Sequence, residues 1–123
     1  MTERRPLAEA EAAVADKRRL FAAEGEARRD ELAMALLELS RALQDAGRDD
    51  DALAAAEESV RVLSPAFLAR PARFAIPMRT VIAQYAAQAQ RLRRPPDEAL
   101  LAPLAQALGD LARAEDAGED DGP

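Results

Sequence analysis

The three consecutive aspartates Asp49, Asp50 and Asp51, with Ser40, Ser59, Ser64 and Tyr85, are where a reaction would have to start. Divalent-metal chemistry needs ligands converging on one point. Three neighbours at a helix start point in different directions, and no histidine stands anywhere in the chain to complete a shell. Nucleophilic chemistry needs a hydroxyl beside a base, or a glycine-rich loop to cradle a phosphate. Neither pattern accompanies these serines. Ser40 and Ser59 read as small residues at helix crossings. The aspartates read as a helix start, Asp49 or Asp50 as the N-cap, with acids in the first turn where the helix dipole favours them. No catalytic residue, metal ligand or cofactor is therefore expected, and the chain is not expected to be an enzyme.

Composition points the same way. Histidine, cysteine, tryptophan and asparagine are all absent, which excludes a disulfide framework, the usual zinc sites, a thiol nucleophile and an imidazole base. Alanine and leucine dominate the 123 residues and aromatics make up only 3%, so helix is favoured by propensity nearly everywhere. The apolar runs are far short of a membrane span, and "MTERRPLAEA" has charges where a signal peptide needs a hydrophobic stretch; a cytoplasmic protein with no membrane partner is expected. The net charge of −6 is unevenly placed. Glu115, Asp116, Glu119, Asp120 and Asp121 account for five of those charges, leaving residues 1–114 at −1. Bulk charge thus gives nucleic-acid binding little support, and Lys17-Arg18-Arg19 and Arg91-Arg93-Arg94 read as solvated helix faces and ends. The expected organisation is one domain over residues 1–115, followed by an acidic disordered tail over 116–123.

Periodicity supplies the elements that would position any site. Leu7, Ala10, Val14 and Phe21 share one side of a helix from about Pro6 to Ala23, interrupted by Gly25. Leu32, Leu36, Leu39 and Leu43 form the next stripe, ending at Gly47 as a helix C-cap. Leu53, Ala56, Val60, Leu63 and Phe67 follow. The stretch "SPAFLARPARFAIP" must bend or break the helix at its prolines, and Pro77 is suited to open a fourth helix, with Met78, Ile82, Tyr85, Ala89 and Leu92 inward. A fifth starts near Asp97 with Leu101, Leu104, Leu108 and Leu111 inward, kinked or begun late at Pro103.

A shift of 46 residues brings Leu7 onto Leu53, Val14 onto Val60, Phe21 onto Phe67, Leu36 onto Ile82 and Arg48 onto Arg94. The polar break repeats as well, "GRDDDAL" against "RRPPDEAL" with one residue inserted. The stretch "LLELSRALQDAGRDDDALAAAEESVRVLSP" resembles a tetratricopeptide repeat: Leu36, Leu39, Ser40, Leu43, Gly47, Ala52, Ala56, Ser59 and Pro65 fall at or beside that family's patterned positions. Ser40 replaces the usual glycine and Leu36 the usual aromatic. The family's unit is about 34 residues, and the longer spacing resembles the long-linker variety common in actinobacterial proteins. A degenerate second copy covers residues 76–115. The resemblance implies an all-α fold, a short α-α superhelix of about five antiparallel helices.

In that family ligands lie on the face made by the first helix of each pair. Carried onto this chain, the groove comprises Met34, Leu37, Glu38, Arg41 and Gln44, then Thr80, Ala83, Gln84, Ala87, Gln90 and Arg91. Met and Leu on a polar face suit an apolar contact; equally, the N-terminal helix would bury them as core. The lysine–asparagine clamp by which some members hold a peptide carboxylate has no counterpart, since Glu38 and Arg41 occupy that region. The expected function is a non-catalytic interaction module, an adaptor, regulator or assembly subunit, binding a protein or peptide partner. The other reading is a self-associating accessory subunit, a homodimer covering one end of the stack, its groove filled by its own copy or a small apolar ligand.

Overall fold

Local signals set most helix ends. In the computed structural model, which describes residues 6–120, the order is α1 (Leu7–Glu24), a 3₁₀ turn (Gly25–Arg28), α2 (Arg29–Asp45), α3 (Asp49–Ala69), α4 (Pro71–Arg91) and α5 (Glu98–Asp120). No strand occurs among the described residues, and the fold is all-α. Gly25 stops α1 in a backbone region that glycine alone visits freely, φ 64 and ψ −135. α2 ends in a Schellman cap: the Arg48 amide donates to the Leu43 carbonyl at 2.8 Å and the Gly47 amide to that of Gln44 at 3.0 Å, with Gly47 at φ 78.

The same cap closes α4. The Arg94 amide donates to the Ala89 carbonyl at 2.9 Å and the Arg93 amide to that of Gln90 at 3.0 Å, each residue standing 46 places after its counterpart. Arg93 holds the left-handed position, φ 56, that Gly47 holds in the first cap.

Successive helices fold back antiparallel. Lys17 pairs with Glu31 between α1 and α2 (3.0 Å), the Arg29 guanidinium donates to the Val62 carbonyl between α2 and α3 (3.0 Å), and the Tyr85 hydroxyl reaches Glu57 between α4 and α3 (2.9 Å). Alternate helices lie side by side: α1 meets α3 through a two-pronged Arg18–Glu58 pair at 2.6 and 2.8 Å, and α3 meets α5 through Arg61–Asp97 at 2.7 Å. Ala33, Leu37, Ala56, Val60, Leu63, Phe67, Met78, Val81, Tyr85 and Leu104 make one buried cluster from α2 to α5, with Val14, Leu32 and Leu36 forming a smaller one under α1. Ala42, Ala52, Ala55, Ala56 and Ala89 are buried, as close helix crossings require.

The prolines act differently from the sequence expectation. α3 continues through Pro65 to Ala69, the break falls at Arg70, and Pro71 rather than Pro77 opens α4. Pro77 and Pro103 both lie inside helices. Pro65 and Pro103 are exposed, so the carbonyls they leave without an amide donor can take water while the inward side stays packed. The N-cap of α3 is Arg48, with no side-chain cap; Asp49 and Asp50 instead belong to the first turn. Asp97, by contrast, caps α5 through its carboxylate, which accepts the Leu100 amide at 3.1 Å. α5 runs on to Asp120, through the first part of the stretch expected to be a disordered tail, where alanines continue to favour helix; residues 121–123 lie outside the described residues.

Candidate interaction face

α2 and α4 run side by side, joined through buried Ser40 and half-buried Gln84. The Ser40 hydroxyl donates to the Ala52 carbonyl at 2.7 Å, and the Gln84 amide donates to Ser40 Oγ at 3.2 Å and to Gln44 Oε1 at 3.4 Å. A residue larger than serine at this crossing would push α3 from α2 and remove the acceptor that Gln84 uses. Around this seam the outer surface of α2 offers half-buried Met34 and the Glu38–Arg41 pair at 3.0 Å, and α4 offers half-buried Thr80 and exposed Ala83, Ala87 and Gln90.

Leu37 does not belong to this surface. It is 3% exposed and packs in the main cluster with Leu63 and Val81. The reason is geometric: α2 packs against α1, α3 and α4, so its buried arc is wider than the Leu36 stripe suggests. Gln84 and Arg91 are also engaged within the chain, Arg91 with Asp49 at 3.1 Å. Met34 stays at the surface, on the lip of an open groove of about 410 Å³ between α1 and α2, with Ala13, Lys17, Glu31, Ala35 and Glu38. Ala13 and Lys17 have no sequence signal for this role; only the docking of α1 brings them there.

The residues considered for chemistry are tied into the scaffold. Asp49 accepts from Gln88 (3.3 Å) and Arg91 (3.1 Å), Asp50 pairs with Arg94 at 2.6 Å, and Asp51 with Arg48 at 2.7 Å. The three carboxylates thus face three different cations; Asp49 and Asp50 anchor the end of α4 to the start of α3, while Asp51 pairs within the start of α3 itself. Among the described residues no group of His, Cys, Asp or Glu is arranged to hold a metal ion. The Ser40, Ser59 and Ser64 hydroxyls all donate to backbone carbonyls. Tyr85 is 2% exposed, and burial pushes its phenol above the ordinary value. Its hydroxyl donates to Glu57 and accepts the Asp97 amide at 2.7 Å, a partly buried join between α3, α4 and the start of α5.

Glu31 is held below the usual carboxylate range, first by its bond from Arg28 and then by Lys17; Glu26 is lowered by Arg29. No described helix is long and apolar enough to cross a membrane. Compared with family models, curated proteins and solved structures, the chain matches none of them.

Proposed function

We propose that this chain is a non-catalytic protein–protein interaction module, a short superhelix of tetratricopeptide type that takes a peptide or a helix of a cytoplasmic partner on the α2–α4 face. The observation that carries the reading is the recurrence of one Schellman cap at an interval of 46 residues, Leu43 to Arg48 and Ala89 to Arg94, on two helices that lie side by side. Repeated hairpins with alternate helices adjacent produce an extended face of first helices, which is how stacked repeats present a binding surface. That face is formed by half-buried Met34, Glu38, Arg41 and Thr80 and exposed Ala83, Ala87 and Gln90, with Leu37 withdrawn into the core. Neutral, small and apolar groups framed by charge suit a partner helix better than a substrate.

The test is affinity capture from the source cells with the wild-type chain and a Met34→Glu/Ala83→Glu variant, with circular dichroism verifying the fold. The expected result is a partner held by the wild type and lost by the variant. Capture only of further copies of the chain, or capture indifferent to both substitutions, would overturn the reading.

A further inference from the structure

Helix α4 contains Arg73, Arg79 and Arg91 and not one acidic residue, in a chain whose net charge is −6. Elsewhere the described cations are answered: Arg18, Arg28, Arg29, Arg41, Arg48, Arg61 and the rest each face a carboxylate. Among the described residues the arginines that enter no ion pair are Arg70, Arg73, Arg79 and Arg93, and all four lie on α4 or at its two ends. Unanswered positive charge is therefore concentrated on one helix of an acidic protein.

The same helix carries the most exposed large apolar side chain among the described residues, Ile76 at 76%. Steps of three and four residues place Ala72, Ile76, Thr80, Ala83 and Ala87 along one outer side. All are exposed except half-buried Thr80. Arg79 flanks this strip on one edge and Arg73 on the other. Small residues let a second helix approach closely, Ile76 gives it one apolar anchor, and the arginines select the charge beside that anchor.

The geometry points to the outer strip of α4 as the docking site for an acidic amphipathic helix of another protein, its apolar side on Ile76, Ala83 and Ala87 and its carboxylates against Arg73 and Arg79. This rests on the interaction-module reading and names the partner's chemistry. Nucleic acid fits less well: the two arginines stand on opposite edges of an apolar strip, and the acidic whole repels phosphate. A membrane surface would need more than one large apolar side chain.

The test uses the full chain and two synthetic amphipathic helices, both with leucine on one side, one flanked by glutamate and the other by lysine, titrated at low and high salt. The glutamate helix is expected to bind, more weakly as salt rises. Arg73→Glu/Arg79→Glu should weaken it by on the order of tenfold and reverse the preference toward the lysine helix, and Ile76→Asp should weaken both. These residues are exposed, so the variants keep the fold, verified by an unchanged thermal midpoint. Equal binding of the two helices, no binding of the glutamate helix, or indifference to the α4 substitutions overturns the acidic-partner assignment. So does tighter arginine-dependent binding of duplex DNA or anionic vesicles, or self-association through the same residues. Loss of charge preference with binding retained would overturn this assignment alone; the interaction module itself falls only with the Met34→Glu/Ala83→Glu capture experiment.

Discussion

Arg93 occupies the left-handed region at φ 56 in a cap where the equivalent Gly47 sits at φ 78. A side chain there crowds its own carbonyl at a cost of roughly 1–2 kcal/mol, which glycine avoids. Arg93→Gly is expected to stabilise the chain by about 0.5–1 kcal/mol after the added freedom of the unfolded glycine is subtracted. Gly47→Ala should lose about 1 kcal/mol. Nothing lies within 4 Å of the Cβ it would add, so the loss is backbone strain alone. Urea midpoints of the two variants, displaced in opposite directions, check the pair.

α5 packs on the core through Leu104 and its apolar neighbours, and a small polar cluster fixes its start. The Tyr85 hydroxyl accepts the Asp97 amide, and the Asp97 carboxylate caps the Leu100 amide and pairs with Arg61. Tyr85→Phe leaves the Asp97 amide without its acceptor and should cost about 1–3 kcal/mol. Hydrogen exchange should quicken in α5 before it does in α2 or α3. The cap also titrates. The Leu100 amide first, and Arg61 second, hold Asp97 below its ordinary value of 3.8. A carboxyl lowered on folding contributes stability above the unfolded value and loses it as pH falls through the folded one. Protection of the first turn of α5 is therefore expected to be flat near neutrality and to fall only below the ordinary carboxylate range, while an Asp97→Asn variant loses that acid limb.

Over the whole molecule, stability depends on one continuous cluster shared by four helices. Leu104 is fully buried in it, and Leu104→Ala should cost about 2–5 kcal/mol, a large part of what a small domain has. Leu37→Asp, which buries a charge without a partner, should unfold the chain outright. Met34→Glu, three residues earlier and only half-buried against the core, should cost less, about 1 kcal/mol. Thermal unfolding of the three separates core from face. The contrast matters for function, because a binding defect can be read from Met34 and not from Leu37.

The helical class, the breaks at Gly25 and Gly47, the start near Asp97 and most inward stripes were legible in the amino-acid order, because propensity, caps and i to i+4 periodicity act over a few residues. A polar break recurring after 46 residues was legible too, and a cap of the same geometry stands at both places. What the order could not determine was which further neighbour each helix would meet. Leu37 became core because α4 docks beside it, and α3 passes Pro65 because that proline faces water. Asp49 became an anchor for α4 instead of a cap because Gln88 and Arg91 reach it from 39 and 42 residues away. Arg73 and Arg79 of α4 were visible as letters, but their lack of carboxylate partners exists only in the folded arrangement. Burial and charge pairing depend on contacts between distant segments, and those are decided by the tertiary structure.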